Sequence, residues 1–366
     1  MSRIRLAIVG VSGYAGAELA ELCAAHPAFE LHAVVADRWQ GETLGAHVRV
    51  RGAAQSLRVT PMADAIAATS QADVALLATP AEASARIAAE LLARGVRVVD
   101  LSGAFRLTAP EAYPRWYGFT HPAPELLAEA RYGLPEVPEA AGAAPAPRAA
   151  RIVANPGCYA TAAILALAPL VARRAVRFDA LFVDGKSGVT GAGRKVEERL
   201  LFCEVAENLS PYRVGTHQHA PEIELALSRV AGADVKVTFT PHLLPVRRGL
   251  MVTAYGRLAE GVDAAAIGAI VAAYYQDGER RRGEGEVRVV APEAVTLGGV
   301  VKTNQALVGA RGDAERRTAI SLGSLDNLRK GAASQALQNL CAMVGVSFHE
   351  GREPAMVGPS TEAREA

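Results

Sequence analysis

The stretch IRLAIVGVSGYAGAELAELCAA, residues 4–25, decides the fold. Six residues of apolar character (4–9) are followed by Gly10, Gly13 and Gly16, and then by a run with apolar positions at helical spacing over 17–25. A strand, a tight glycine turn and a helix in that order form the first unit of a dinucleotide-binding sheet. Glycines let the backbone turn sharply against a pyrophosphate, and the N–H groups at the helix start attract its charge. Gly10, Ser12, Gly13, Tyr14 and Gly16 are therefore the candidate cofactor-binding residues.

Working outward, apolar runs at 31–36, 74–78 and 96–101 read as further strands, with an Ala-rich helix over 83–94. Strands apolar throughout and separated by helices imply a parallel sheet covered on both faces. The fold class is α/β, a doubly wound parallel sheet. After the Pro- and Ala-rich excursion 138–150, the core resumes at Ile152. A helix over 159–172 and strand-like runs at 180–183, 235–240, 250–258 and 287–290 predict a second, α+β domain, and 327–344 predicts a final helix. The expected division is a dinucleotide-binding domain over 1–155, a catalytic and dimerisation domain over 156–315, a segment over 316–350 returning to the first domain, and a tail over 351–366.

The 366 residues are 50% hydrophobic, and 39 basic against 38 acidic side chains leave a net charge of +1. No long-range field marks a binder of nucleic acid or of an anionic membrane. No apolar run approaches the ~20 residues of a membrane span, and nothing suggests export. Cysteines at 23, 158, 203 and 341 form no C-x-x-C pair, so a cytoplasmic chain with reduced thiols and no disulfide framework is expected.

Two further motifs carry chemistry. In ANPGCYAT (154–161), Cys158 follows a Pro-Gly turn at the start of an apolar helix. A helix N-terminus stabilises a thiolate, and N–H groups beyond the turn can join an oxyanion hole. In HQHAPEIE (217–224), His217 and His219 alternate, which on a strand would put both on one face. Histidine is the natural proton donor near neutral pH. The pair could instead hold a metal, but no matching acidic or cysteine cluster is evident, and no metal is expected. At the end of the second strand Asp37 suits a ribose hydroxyl, whereas Arg38 suits a 2′-phosphate, and the residues alone leave both open. Arg106 and Arg213 are candidate binders of phosphate or carboxylate through paired hydrogen bonds. Asn327 in DNLRKG is either a nicotinamide carboxamide contact or a helix cap.

These blocks, with VDLSGAFRL (99–107), YGLPE (132–136), SGVTGAGR (187–194) and PHLLPVRRG (241–249), resemble in order the N-acetyl-gamma-glutamyl-phosphate reductase family, relatives of aspartate-semialdehyde dehydrogenase. The resemblance implies NADPH-dependent reduction of an acyl phosphate in arginine biosynthesis by a homodimer or homotetramer. It makes Cys158 the nucleophile and a histidine of the 217–219 block the acid-base partner, with His219 favoured for its place in H-x-P-E-I. It places NADP(H) with Arg38 on the 2′-phosphate, and Asn155 with Arg106 and Arg213 on the substrate. The chain departs from the family pattern at Ala104, where an acid is usual, and at ATPAE (78–82). The competing readings are reduction of the one-carbon-longer aminoadipyl phosphate of lysine biosynthesis, a dinucleotide-binding sensor without catalysis, and a thiol hydrolase without cofactor.

Overall fold

The computed structural model describes residues 3–282 and 286–350; the expected tail over 351–366 lies outside them. The first sheet holds β1 (Ile4–Val9), β2 (Phe29–Val35), β3 (Val59–Thr60), β4 (Val74–Leu77), β5 (Arg97–Asp100), β6 (Ala130–Tyr132) and β7 (Ile152–Ala154) in the order β3-β2-β1-β4-β5-β7-β6. Every pairing is parallel. Helices α1 (Tyr14–Ala25), α2 (Ala65–Thr69), α3 (Ala81–Ala93) and α4 (Ala112–Trp116) run between its strands. Strand order reverses between β1 and β4, and there the strand ends open a crevice for a ligand. Alternate residues of β1 point to the two faces: Leu6 and Ile8 pack with Leu19 of α1 and Leu337, whereas Ala7 and Val9 pack with Leu91 of α3 and Tyr113.

The remaining elements are α5 (Cys158–Ala172), β8 (Val176–Gly188), α6 (Phe202–Val205), β9 (Ser210–Pro211), α7 (His219–Ala231), β10 (Val237–Leu244), β11 (Leu250–Leu258), α8 (Ile267–Arg282), β12 (Val287–Val289), β13 (Ala306–Asp313), β14 (Thr318–Leu325) and α9 (Ser334–Val344). They build a second, mixed sheet in the order β12-β13-β14-β11-β8-β10-β9. Helix α5 is buried over 159–171, as an all-apolar helix must be. Pro169 inside it has no N–H for the Leu165 carbonyl, and the Tyr275 hydroxyl donates to that oxygen instead.

Three expectations are corrected. The break at 315/316 falls inside the β13–β14 hairpin, so the second sheet runs to Leu325 and the returning segment starts after it. The final helix is not continuous: Arg329–Ala333 forms a π turn before α9 begins. His217 and His219 do not share a strand, because His219 opens α7, whose apolar Ile223, Ala226 and Leu227 recur at helical spacing. The excursion 138–150 contains short 3-10 turns, and Ala140, Ala141 and Ala150 are buried.

Helix α9 packs on the first sheet through Leu337, Leu340 and Met343. The buried Lys330 anchors the turn before it, donating to Glu136 at 2.6 Å and Gln338 at 2.8 Å. Burial pushes the Glu136 carboxyl up, but the Lys330 charge and the hydrogen bonds from Lys330 and Gln338 override it and hold it below its usual range. Lys330→Ala leaves that carboxylate buried without its cation, and the expected loss is about 3 kcal/mol or more of unfolding free energy. Urea titration followed by tryptophan fluorescence reads it, because Trp39 and Trp116 both lie in the first domain. Adding Glu136→Leu to Lys330→Met should restore most of the loss. A Lys330→Ala protein as stable as wild type would show that the pair contributes nothing. The same pair makes stability fall as pH drops through the lowered Glu136 pKa, and keep its full contribution above the ordinary carboxylate range.

Candidate active site

Two glycines of the first turn, Gly10 and Gly16, have a steric reason. Gly10 sits at φ +93°, and a Cβ there would lie 2.4 Å from the Ala78 carbonyl at the end of β4; a Cβ on Gly16 would lie 2.3 Å from the Gly10 carbonyl. Gly13 caps α1 without a side-chain bond to its amides, and the first turn of the helix carries no acid. The Gly13 N–H bonds the Gly10 carbonyl at 3.1 Å, which leaves the N–H groups of Tyr14, Ala15 and Gly16 to border a cleft of about 520 Å³. This cradle fits a dinucleotide pyrophosphate. Glu18, one turn on, is neutralised by Arg248 at 3.1 Å and Arg329 at 2.6 Å, which join α1 to the second domain. Ser12 is part-buried in the same turn, and Arg38 is exposed at the end of β2. Asp37 accepts from the Met62 N–H at 2.8 Å.

Opposite the turn, the cleft is lined by Arg106, Cys158, His217, His219, Arg213 and Asn327. Cys158 is part-buried at the first position of α5, behind Gly157. Glu222, fully buried on α7, accepts from the Gly157 N–H at 2.9 Å and from the Tyr132 hydroxyl at 2.8 Å. Its second oxygen pairs with Arg106 at 3.4 Å. Arg106 also donates to the Asn155 carbonyl at 2.9 Å and the Leu101 carbonyl at 2.7 Å. A Cβ on Gly157 would lie 2.1 Å from His219 Nε2, and one on Gly331 would lie 2.8 Å from Cys158 Cβ. Glycine is thus needed at both places for the imidazole and the π turn to close on the cysteine.

The electrostatics reverse one expectation. Burial pushes the Cys158 thiol up to about 11, against the lowering pull of Arg106 and the Tyr159 N–H and with some help from Glu222. The helix start does not by itself yield a resting thiolate; desolvation of the anion outweighs it. His219 is held well below the usual histidine range by burial first, then by His217, Arg106 and Arg213. His217 is lowered to about 4 by burial and Arg213. Both rings are neutral at pH 7. Arg106 only donates, and it lies 3.4 Å from His219 Nε2, so the ring proton is assigned to Nδ1, which has no partner among the described residues. His217 Nδ1 accepts from the His219 N–H at 3.1 Å and so braces the start of α7.

Asn155 does not reach the cleft wall. It sits beneath it, donating to the Ala332 carbonyl at 3.3 Å and accepting from Asn339 at 2.9 Å. Asn327 lines the cleft while bonding the Gly249 N–H at 2.9 Å and Thr190 at 3.0 Å. The capping role falls to Asp326, which accepts from the Leu328 and Arg329 amides at 2.9 and 3.2 Å. Arg213 is exposed at the rim and donates to Gln218 at 2.6 Å. Sequence reasoning passed over Glu222 and Tyr132, although both stand in the quoted HQHAPEI and YGLPE blocks. Among the described residues no three His, Cys, Asp or Glu side chains could hold a metal ion, and no helix is long and apolar enough to cross a membrane.

Comparison with known proteins agrees with this geometry. Residues 5–144 match the family model described as semialdehyde dehydrogenase, NAD binding domain, and residues 158–327 match semialdehyde dehydrogenase, dimerisation domain. The chain is 39% identical over 354 residues to an N-acetyl-gamma-glutamyl-phosphate reductase of Dehalococcoides mccartyi, covering 96% of this chain and 98% of the relative. It is 41% identical over 342 residues to one of Acidithiobacillus ferrooxidans, covering 92% and 94%. Among solved structures, aspartate semialdehyde dehydrogenase II from Vibrio cholerae superposes with a TM-score of 0.70 at 19% identity, covering 94% of this chain and 99% of that one. Aspartate semialdehyde dehydrogenase with NADP from Candida albicans gives 0.67 at 15% identity, covering 94% and 99%. These two likenesses concern the fold.

Proposed function

The chain belongs to the semialdehyde dehydrogenase family, alongside relatives that are N-acetyl-gamma-glutamyl-phosphate reductases, and from that premise we propose that it reduces N-acetyl-gamma-glutamyl phosphate to the 5-semialdehyde with NADPH, in arginine biosynthesis. The observation that carries the proposal is one cleft that joins the uncapped start of α1 to Cys158 and His219.

Cys158 Sγ attacks the acyl carbon, the bond from that carbon to the phosphate oxygen breaks, and phosphate leaves a thioester behind. The thiol proton goes to His219 Nε2, the ring nitrogen that lies against Gly157. A neutral imidazole beside a protonated thiol is the resting arrangement that such a transfer needs. A reduced nicotinamide dinucleotide held at the start of α1 would supply the hydride for the thioester carbonyl. His219, made a strong acid by its buried surroundings, returns its proton toward the carbonyl oxygen, and collapse releases the aldehyde and frees Cys158. Glu222 fixes the Gly157 turn and, through Arg106, the charge beside the reacting carbon. Arg106 and Arg213 meet the substrate's phosphate or carboxylate, and Asn327 orients the nicotinamide amide.

The same reading makes the protein a cytoplasmic homo-oligomer. Its second domain matches a dimerisation model, and Phe182 and Tyr255, directly opposite in β8 and β11, expose two rings on the sheet face that the helices leave open.

The test runs the reaction in reverse: NADP+ reduction by N-acetylglutamate 5-semialdehyde should require phosphate, and the aldehyde one methylene longer should be used less well. A single methylene is worth only about 1–3 kcal/mol, so the ratio of kcat/KM values decides between them. Phosphate-independent turnover, or none, would reject the proposal.

A further inference from the structure

Arg194 belongs to the second domain, in the loop that follows β8, yet its guanidinium reaches the first. Its Cζ lies 4.2 Å from the ring centroid of Tyr14, the first residue of α1, and 5.8 Å from that of Trp39, just past β2. Trp39 is itself stacked on His47, with centroids 4.4 Å apart and rings 2° from parallel. The guanidinium is therefore held by aromatic faces and leaves its N–H edge free. Arg194 Nε is buried without a hydrogen-bond partner, and no carboxylate pairs with Arg194 among the described residues. The neighbouring cleft cations are satisfied: Lys195 and Arg199 share Glu197 at 3.1 and 2.7 Å. A buried charged donor with nothing to bond is costly unless an anion arrives to accept from it.

Its position says which anion. The amides at the start of α1 already serve a pyrophosphate, whereas the end of β2 is where the adenosine ribose presents its 2′ substituent. Arg194 spans these two points. Arg38 is exposed there with no ring contact, and Asp37 has one oxygen on the Met62 N–H. We infer that Arg194, contributed by the catalytic domain, reads the 2′-phosphate of the dinucleotide and sets the preference for NADP(H) over NAD(H). This inference rests on the NADP(H) reading above.

Isothermal titration with NADP+ and with NAD+ tests it. Wild type should bind NADP+ more tightly. Arg194→Ala should weaken NADP+ roughly 10- to 100-fold, the size of a charge-assisted contact, and leave NAD+ within about 2-fold. Undisturbed NAD+ binding also shows that the variant is folded. Arg194→Lys should recover only part of the loss, because an ammonium cannot grip a phosphate with two parallel bonds. Equal weakening of both dinucleotides would put Arg194 on the pyrophosphate and overturn the inference. So would an unchanged Arg194→Ala protein alongside an Arg38→Ala protein that has lost its preference. A wild type with no preference would remove the NADP(H) reading itself, before any substitution is made.

Discussion

Cys158→Ala is expected to abolish reduction while leaving dinucleotide binding intact. The glycine turn that meets the dinucleotide lies between β1 and α1, and no atom of Cys158 contributes to it. Without sulfur there is no acyl carrier, so the loss should be complete rather than graded. Rapid mixing of enzyme with acyl phosphate, in the absence of reduced cofactor, should release close to one phosphate per site from wild type and none from the variant. A burst surviving in Cys158→Ala would identify another nucleophile. The raised thiol pKa, about 11, adds a pH arm to the same experiment. In the free enzyme only a small fraction is thiolate at neutral pH, so alkylation by a neutral reagent should be slow at pH 7 and accelerate through pH 9 and above. Fast alkylation at pH 7 would mean that the helix start, and not burial, sets the thiol's state.

Much of the first domain was legible because its signals are local. Apolar strands, the glycines at 10, 13 and 16 and the helix behind them lie within about two dozen residues, and the steric need for Gly10 and Gly16 arises from backbone close by or at the next strand. Cys158 at a helix start was legible for the same reason. The histidines were misread because H-Q-H alternates like a strand, while the helix that His219 begins declares itself only in the residues that follow. The hairpin of β13 and β14 gave a weak signal, its strands ALVGARGD and TAISLGSL being rich in small residues. Glu222 could not be assigned at all from spacing. Its partners Gly157 and Tyr132 lie 65 and 90 residues away in the chain, before α5 and at the end of β6, and only the tertiary fold brings them together. The thiol's pKa is the sharpest case: a helix dipole can be read from sequence, but the depth of burial that outweighs it cannot.

His219→Asn should lower turnover roughly 100- to 10,000-fold, the usual worth of one positioned proton-transfer group, and leave a measurable residual rate. Asparagine keeps a donor of similar reach but cannot carry a proton away from sulfur and back to oxygen. The pH profile separates that role from a merely structural one. Because burial and the nearby His217, Arg106 and Arg213 hold the imidazole well below its ordinary range, the neutral, proton-accepting form persists on acidification past pH 6.5. Wild-type kcat/KM should therefore stay level through pH 6 and fall only at lower pH, and the His219→Asn profile should lack that acid limb. His217→Asn should cost less, since His217 Nδ1 is committed to the His219 N–H and braces the start of α7. If His219→Asn retains full activity and the acid limb, while His217→Asn loses both, the proton carrier is His217. The value of about 4 for its own imidazole would then have to describe that limb.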